Sequence, residues 1–166
     1  ILLCVLGTVL IATLGSSLIQ NHILEDTGAP LYKEAISLAS YQANTDYSDS
    51  EDVEAAYNQL KTLSAFQDSR ILILNPSGQP LIDTSKAYSS EAQKAIKNFD
   101  PAIMGSDSYI TGTFHGYFKE DMVSTLVPIT KNLSTKGYVS IHLPMTVIID
   151  QKESVLGPVY IVFTIL

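Results

Sequence analysis

The chain has no tryptophan, one cysteine, one arginine and three histidines among its 166 residues. Each scarcity excludes something. The single cysteine, Cys4, sits in an uncharged run, so no disulfide framework is available. The residue before it, Leu3, is not the small one a lipid-attachment signal wants there. His22, His115 and His142 have no H-E-x-x-H or H-x-H spacing, so no zinc site is indicated. A G-x-S-x-G elbow and a phosphate-binding P-loop are both missing, and with them the commonest signatures of catalysis. Gly112-Thr113-Phe114-His115-Gly116 carries glycines but follows no strand-to-helix phosphate pattern. Basic residues are few: ten Lys and Arg against seventeen Asp and Glu give a formal charge of −7. That balance argues against a nucleic-acid partner and against a surface lying flat on anionic lipid.

What the chain does have is two apolar ends around a polar middle. Residues 1–19 carry no charge, and about nineteen residues of helix nearly match a hydrocarbon core of ~30 Å. A basic start and an A-x-A-like site are absent, which weakens a signal-peptide reading. A second uncharged run begins near Val155 and is read as the start of another span. The expected organisation is a transmembrane helix over 1–19, a domain over 20–153, and the beginning of a second transmembrane helix over 154–166. Two spans place both ends of the domain on one side of a bilayer, and an extracytoplasmic domain is the expectation.

Inside the domain, Leu18, His22 and Ile23, then Leu31, Ala35, Leu38 and Ala39, follow helical spacing, with a kink or short break expected at Gly28-Ala29-Pro30. Asn44–Asp52 is a polar link, and Ser48 with Glu51 forms a capping-box pattern. Val53, Ala56, Tyr57, Leu60 and Leu63 then make the apolar stripe of a second helix. The acids Asp46, Asp49, Glu51, Asp52 and Glu54 at its start complement a helix N-terminus, and a divalent-cation patch is the alternative. The period then changes. Ile71–Leu74 and Pro80–Thr84 around Asn75-Pro76-Ser77-Gly78 predict a hairpin with Gly78 free for positive φ. A short helix is expected over Ser89–Phe99, ended by Asp100-Pro101. Strands follow over Ser108–Phe118, Asp121–Thr130 and Gly137–Leu143, the last with Val139, Ile141 and Leu143 on one face and Tyr138, Ser140 and His142 on the other. Lys131–Lys136 is expected as their loop, and Met145–Glu153 as a helix leading to the second apolar run. Arg70 reads as half of a strand-end ion pair with Asp68 or Asp83.

These residues resemble a known family. I-L-I-L-N-P-S-G-Q-P-L-I-D-T at Ile71–Thr84 is similar to the first hairpin of the extracytoplasmic PAS-like sensor of bacterial transmembrane receptors, the single Cache (PDC) domain of sensor histidine kinases. Val127-Pro128-Ile129 answered by Gly137-Tyr138-Val139-Ser140-Ile141 resembles its closing hairpin. The resemblance covers about Leu18–Leu166. It implies an α+β fold with a five-stranded antiparallel sheet and a long N-terminal helix, flanked by the two transmembrane helices. It further implies a ligand-sensing input domain in a bacterial cell membrane, working as a homodimer through Leu18–Ala43, with a histidine kinase region beyond Leu166. A diguanylate cyclase, a chemoreceptor or a ligand-free tethered scaffold would carry the same frame.

The ligand in the resembled family sits against the middle strand under the preceding segment. Alternation along 108–118 puts Tyr109, Thr111, Thr113, His115 and Tyr117 on one face, with Tyr88 in the segment above. Hydroxyls, an imidazole and aromatic rings suit a small polar or aromatic ligand; the same residue types also suit a strand facing water. Relatives that bind carboxylates place several basic side chains in the pocket, and the lone Arg70 speaks against a di- or tricarboxylate. No cofactor and no metal are implied. The partners implied are a small molecule, the bilayer and a second copy of the chain.

Overall fold

The computed structural model describes residues 2–89 and 93–149, with side chains from residue 21 onward. It divides into two compact units, residues 28–144 and residues 1–27 with 145–166. The second of these contributes the first turns of α1 (Leu2–Gln42) and a helical start at residues 145–149. Among the described residues no helix is long and apolar enough to cross a membrane. The run 1–19 has its side chains outside that description, and 154–166 lies wholly outside it.

The unit 28–144 is built on one antiparallel sheet. Its strands are β1 (Arg70–Leu74), β2 (Pro80–Asp83), β3 (Ile110–Gly112), β4 (Met122–Lys131) and β5 (Ser134–Pro144), in spatial order β2-β1-β5-β4-β3. The α+β class, the five strands and the long N-terminal helix are as expected. Alternation then decides the two faces. Ile71, Ile73, Val123, Val139 and Ile141 share one face and are all fully buried, and α2 (Ser50–Phe66) lies against β1 and β2. Leu72, Leu74, Met122 and Leu126 point the other way. They form a core with Ile96, Met104, Phe114 and Phe118 from residues 84–89 and 93–121, which lie over the sheet as a flap. Both faces are therefore covered, and the central strand β5 is buried on each.

Several elements differ from the sequence expectation. α1 continues through Pro30 without a break. The reason for Gly28 is packing: a Cβ there would overlap the Tyr109 ring. α2 is capped by Asp49, extended at φ −92° and accepting from the Glu51 amide, whereas Ser48 turns its hydroxyl to Asp46. The helix expected over Ser89–Phe99 does not form across residues 93–99, and residues 90–92 lie outside the described set. Asp100-Pro101 starts an element instead of ending one, because Asp100 caps and Pro101 opens a 3-10 helix, Pro101–Met104. The strand expected over 108–118 is only Ile110–Gly112. Gly112 turns the chain away at φ 122°, and Phe114, His115 and Gly116 all have positive φ. The loop expected over 131–136 shrinks to Asn132-Leu133, both left-handed at φ 52° and 61°, a tight type I′ hairpin joining Lys131 to Ser134. Gly78 has the positive φ its turn requires, 78°.

Candidate functional site

Register brings polar side chains into a row across the flap-covered face. Arg70 of β1 is opposite His142 of β5, which is opposite Ser124 of β4, which is opposite Ile110 of β3. Ser140 and Asp83 lie one row further, on either side of Leu72. Ser124, Ser140, His142 and Asp83 are all at most 2% exposed. A buried polar row of this kind has to be satisfied internally.

Asp83 is the hub. Arg70 grips it with two bonds, Nε to Oδ1 at 2.8 Å and Nη2 to Oδ2 at 2.5 Å. The Ser85 hydroxyl and amide donate to Oδ1 at 2.8 and 3.1 Å. From the flap, Tyr117 Oη donates to Oδ2 at 3.1 Å, and Lys86 Nζ lies 3.2 Å from the same oxygen. Burial alone would raise the Asp83 pKa, but the bonds and charge of Arg70, with the two bonds from Ser85, hold it well below the usual carboxylate range. The guanidinium also lies 4.9 Å from the Phe118 ring centroid and 5.3 Å from that of Tyr117. Arg70 thus forms the strand-end ion pair expected of it, with Asp83 as partner.

His142 is the second centre. Its Nδ1 is 2.8 Å from Ser124 Oγ, and Nε2 is buried with no hydrogen-bond partner. Burial, reinforced by the Arg70 charge, pushes its pKa down to about 3, so the ring is neutral. The Phe114 and Phe118 rings each lie 4.6 Å from it.

The six residues singled out in the sequence do not converge. Tyr117 reaches the hub. His115 sits beside it in the flap, 5.3 Å from Phe114 and 5.9 Å from Phe99, with a buried Nε2 that has no partner. Thr111 and Thr113 are exposed. Tyr109 packs against Gly28 of α1. Tyr88 leans on α2, its hydroxyl 3.3 Å from the Ser50 carbonyl and its ring 5.5 Å from Tyr57. The shared face failed because it assumed an extended chain through Gly112 and Gly116. Sequence reasoning did not single out Asp83, Ser124 or His142 as site residues. The signal for them was the polar face of β5, which becomes an interior once β5 is central and the flap covers it. A separate open groove of about 680 Å³ lies between α1 and α2, lined by Ser40, Asn44, Asp52 and Gln59 among others.

No protein-family model and no curated protein matches the sequence. Solved structures do. The ligand-binding domain of the Campylobacter jejuni chemoreceptor Tlp3, in complex with 4-methylisoleucine, is similar at TM-score 0.60 and 16% identity, over 80% of this chain and 57% of that one. The extracellular domain of vpHK1S-Z8, described as a histidine kinase, gives 0.59 and 14% over 85% and 60%. A domain of a Vibrio parahaemolyticus sensory box/GGDEF family protein gives 0.55 and 13% over 81% and 59%. The chain shares this sensor-domain fold. It spans less than two thirds of the length of each of these three domains.

Proposed function

We propose that the chain is the extracytoplasmic ligand-sensing input domain of a transmembrane receptor, with the ligand seated between the flap and the polar row of the sheet. The observation that carries this is the row itself. It holds a neutral, fully buried imidazole whose Nε2 has no partner beneath a covering segment, an arrangement that suits recognition of a ligand. This reading assigns Tyr117 and His115 on the flap and His142 on the sheet to the ligand, with the Arg70–Asp83 pair closing the row beside them. The similar domains serve a chemoreceptor, a histidine kinase and a GGDEF protein, so the same input fold suits more than one output. A histidine kinase output follows from the sequence resemblance.

The ligand is a small molecule, as in Tlp3, whose domain has been solved with isoleucine and with L-valine bound. Residues 1–19 are a membrane span of this reading and 154–166 the beginning of a second, and Leu18–Ala43 is its dimer surface, where Ile36 and Tyr41 are 42% and 60% exposed. The test is thermal stabilisation of the full chain in detergent by isoleucine, succinate and benzyl alcohol, as zwitterionic, anionic and uncharged probes. Stabilisation by one class, lost in Tyr117→Ala, is expected. Indifference to all three would overturn the ligand-sensing reading.

A further inference from the structure

The buried nitrogen of His142 is covered in an unusual way. Nε2 meets no donor or acceptor, and the rings packed on its imidazole are those of Phe114 and Phe118. Both rings arrive on one turn, Thr113–Phe118. In that turn Phe114 and His115 are consecutive left-handed residues at φ 45° and 55°, a conformation disfavoured for any side chain with a Cβ. Backbone bonds from Tyr117 N to Phe114 O (3.0 Å) and from Phe118 N to Thr113 O (3.1 Å) close it. Gly112 and Gly116, both at positive φ and with no neighbour within 4 Å of where a Cβ would stand, flank the strained pair. The arrangement is a strained turn pressing apolar rings onto a polar atom that wants a partner.

We propose that Phe114 and Phe118 are a plug in a ligand seat floored by His142, and that the ligand is a small uncharged molecule with a ring-sized apolar body and one hydroxyl or carbonyl group. This rests on the sensor reading and names the ligand class for it. The charges at the seat are already engaged: Arg70 holds Asp83 in two bonds, Lys86 lies on the same carboxylate with half of its side chain exposed to water, and His142 is neutral. The walls around the plug are apolar, formed by Leu72, Met122 and Leu126. One hydrogen bond is on offer, at Nε2, with its sense set by the tautomer that Ser124 selects. A ligand that fills the volume of a phenyl ring and bonds Nε2 replaces the plug, and the turn is released from its left-handed strain.

The experiment uses the full chain in detergent, with phenol and toluene as probes and the side-chain ¹⁵N resonance of His142 as the local readout. Phe114→Ala should bind phenol on the order of tenfold more tightly than the unsubstituted chain does, and on the order of tenfold more tightly than it binds toluene. Phenol should also shift the Nε2 resonance, and adding His142→Phe should remove the preference for phenol. Phe114→Val, a smaller truncation, serves in the same way should the alanine variant fail to fold. Equal binding of the two probes, or an unmoved Nε2 resonance, would overturn the proposal. Isoleucine or succinate stabilising the unsubstituted chain with Nε2 unmoved would also overturn it, while leaving the ligand-sensing reading intact.

Discussion

Single residues in the polar row should reveal themselves through pH. His142 is neutral when folded, with its pKa at about 3, and titrates near ~6.5 when unfolded. The sign follows: its contribution is fully present above pH ~6.5 and is lost as pH falls, because the unfolded chain takes up the proton first. Between pH 7.5 and 5 the loss should be about 2 kcal/mol. Urea melts should show this slope in the parent and a flatter profile in His142→Gln. Asp83 acts in a separate window. Its folded pKa is depressed, so its contribution is complete above ~3.9 and fades below that value. Removing half of the pair is a different matter from titrating it. Asp83→Asn leaves Arg70 without its counter-charge in a buried site and should lower stability by about 3 kcal/mol, read from the same melts. A double substitution of Arg70 and Asp83 by leucine should lose much less, since the one cation left without its partner, Lys86, is half exposed to water.

At the scale of elements, backbone conformation and close packing explain where the sequence could be read and where it could not. Leu133 stands at the tip of the β4–β5 hairpin, fully exposed and left-handed at φ 61°, where a side chain contributes strain and no burial. Leu133→Gly should therefore raise stability by about 1 kcal/mol, detectable as a higher Tm. Gly28 is the opposite case. Alanine is normally the better helix residue by about 1 kcal/mol, but its Cβ would overlap the Tyr109 ring. Gly28→Ala should destabilise the parent and become stabilising in a Tyr109→Ala background, and calorimetry of the four chains settles the sign. Hairpin β1–β2, β4 and β5 were legible because alternation and turn residues agree over long stretches. The flap was not. Its path is set by Asp100 acting as a cap, by Gly112 and by the left-handed Phe114 and His115, none of which leaves a periodic trace. Thr113, His115 and Tyr117 therefore looked like one strand face when they sit on a turn. The Arg70–Asp83 pair was legible from its place at two adjacent strand ends, whereas the roles of Ser124 and His142 depend on β5 being central and covered.

For the whole molecule, stability and signal should come from different layers. The strands β1, β4 and β5 hold most of the fully buried side chains and pair along their length, so their amides should open only in global unfolding. The flap is held to that sheet through the Asp83 hub and the Phe114–Phe118 plug, and should open below the global free energy. Hydrogen exchange should accordingly show β1, β4 and β5 slowest and residues 93–121 faster, and a ligand that displaces the plug should speed exchange in the turn 113–118. A change of this kind can reach the rest of a receptor only if it biases one arrangement over another, and couplings of about 1–3 kcal/mol suffice. In the proposed reading β5 is the direct route, since His142 lies two residues before its end at Pro144 and residues 145–149 that follow are helical. The proposed reading requires the domain to lie outside the cytoplasm. Single cysteines at the exposed Ser50 and Ser134, in a Cys4→Ser background, should react with a membrane-impermeant thiol reagent on intact cells. Labelling of both only after lysis would place the domain on the other side and remove the physical basis for an external input.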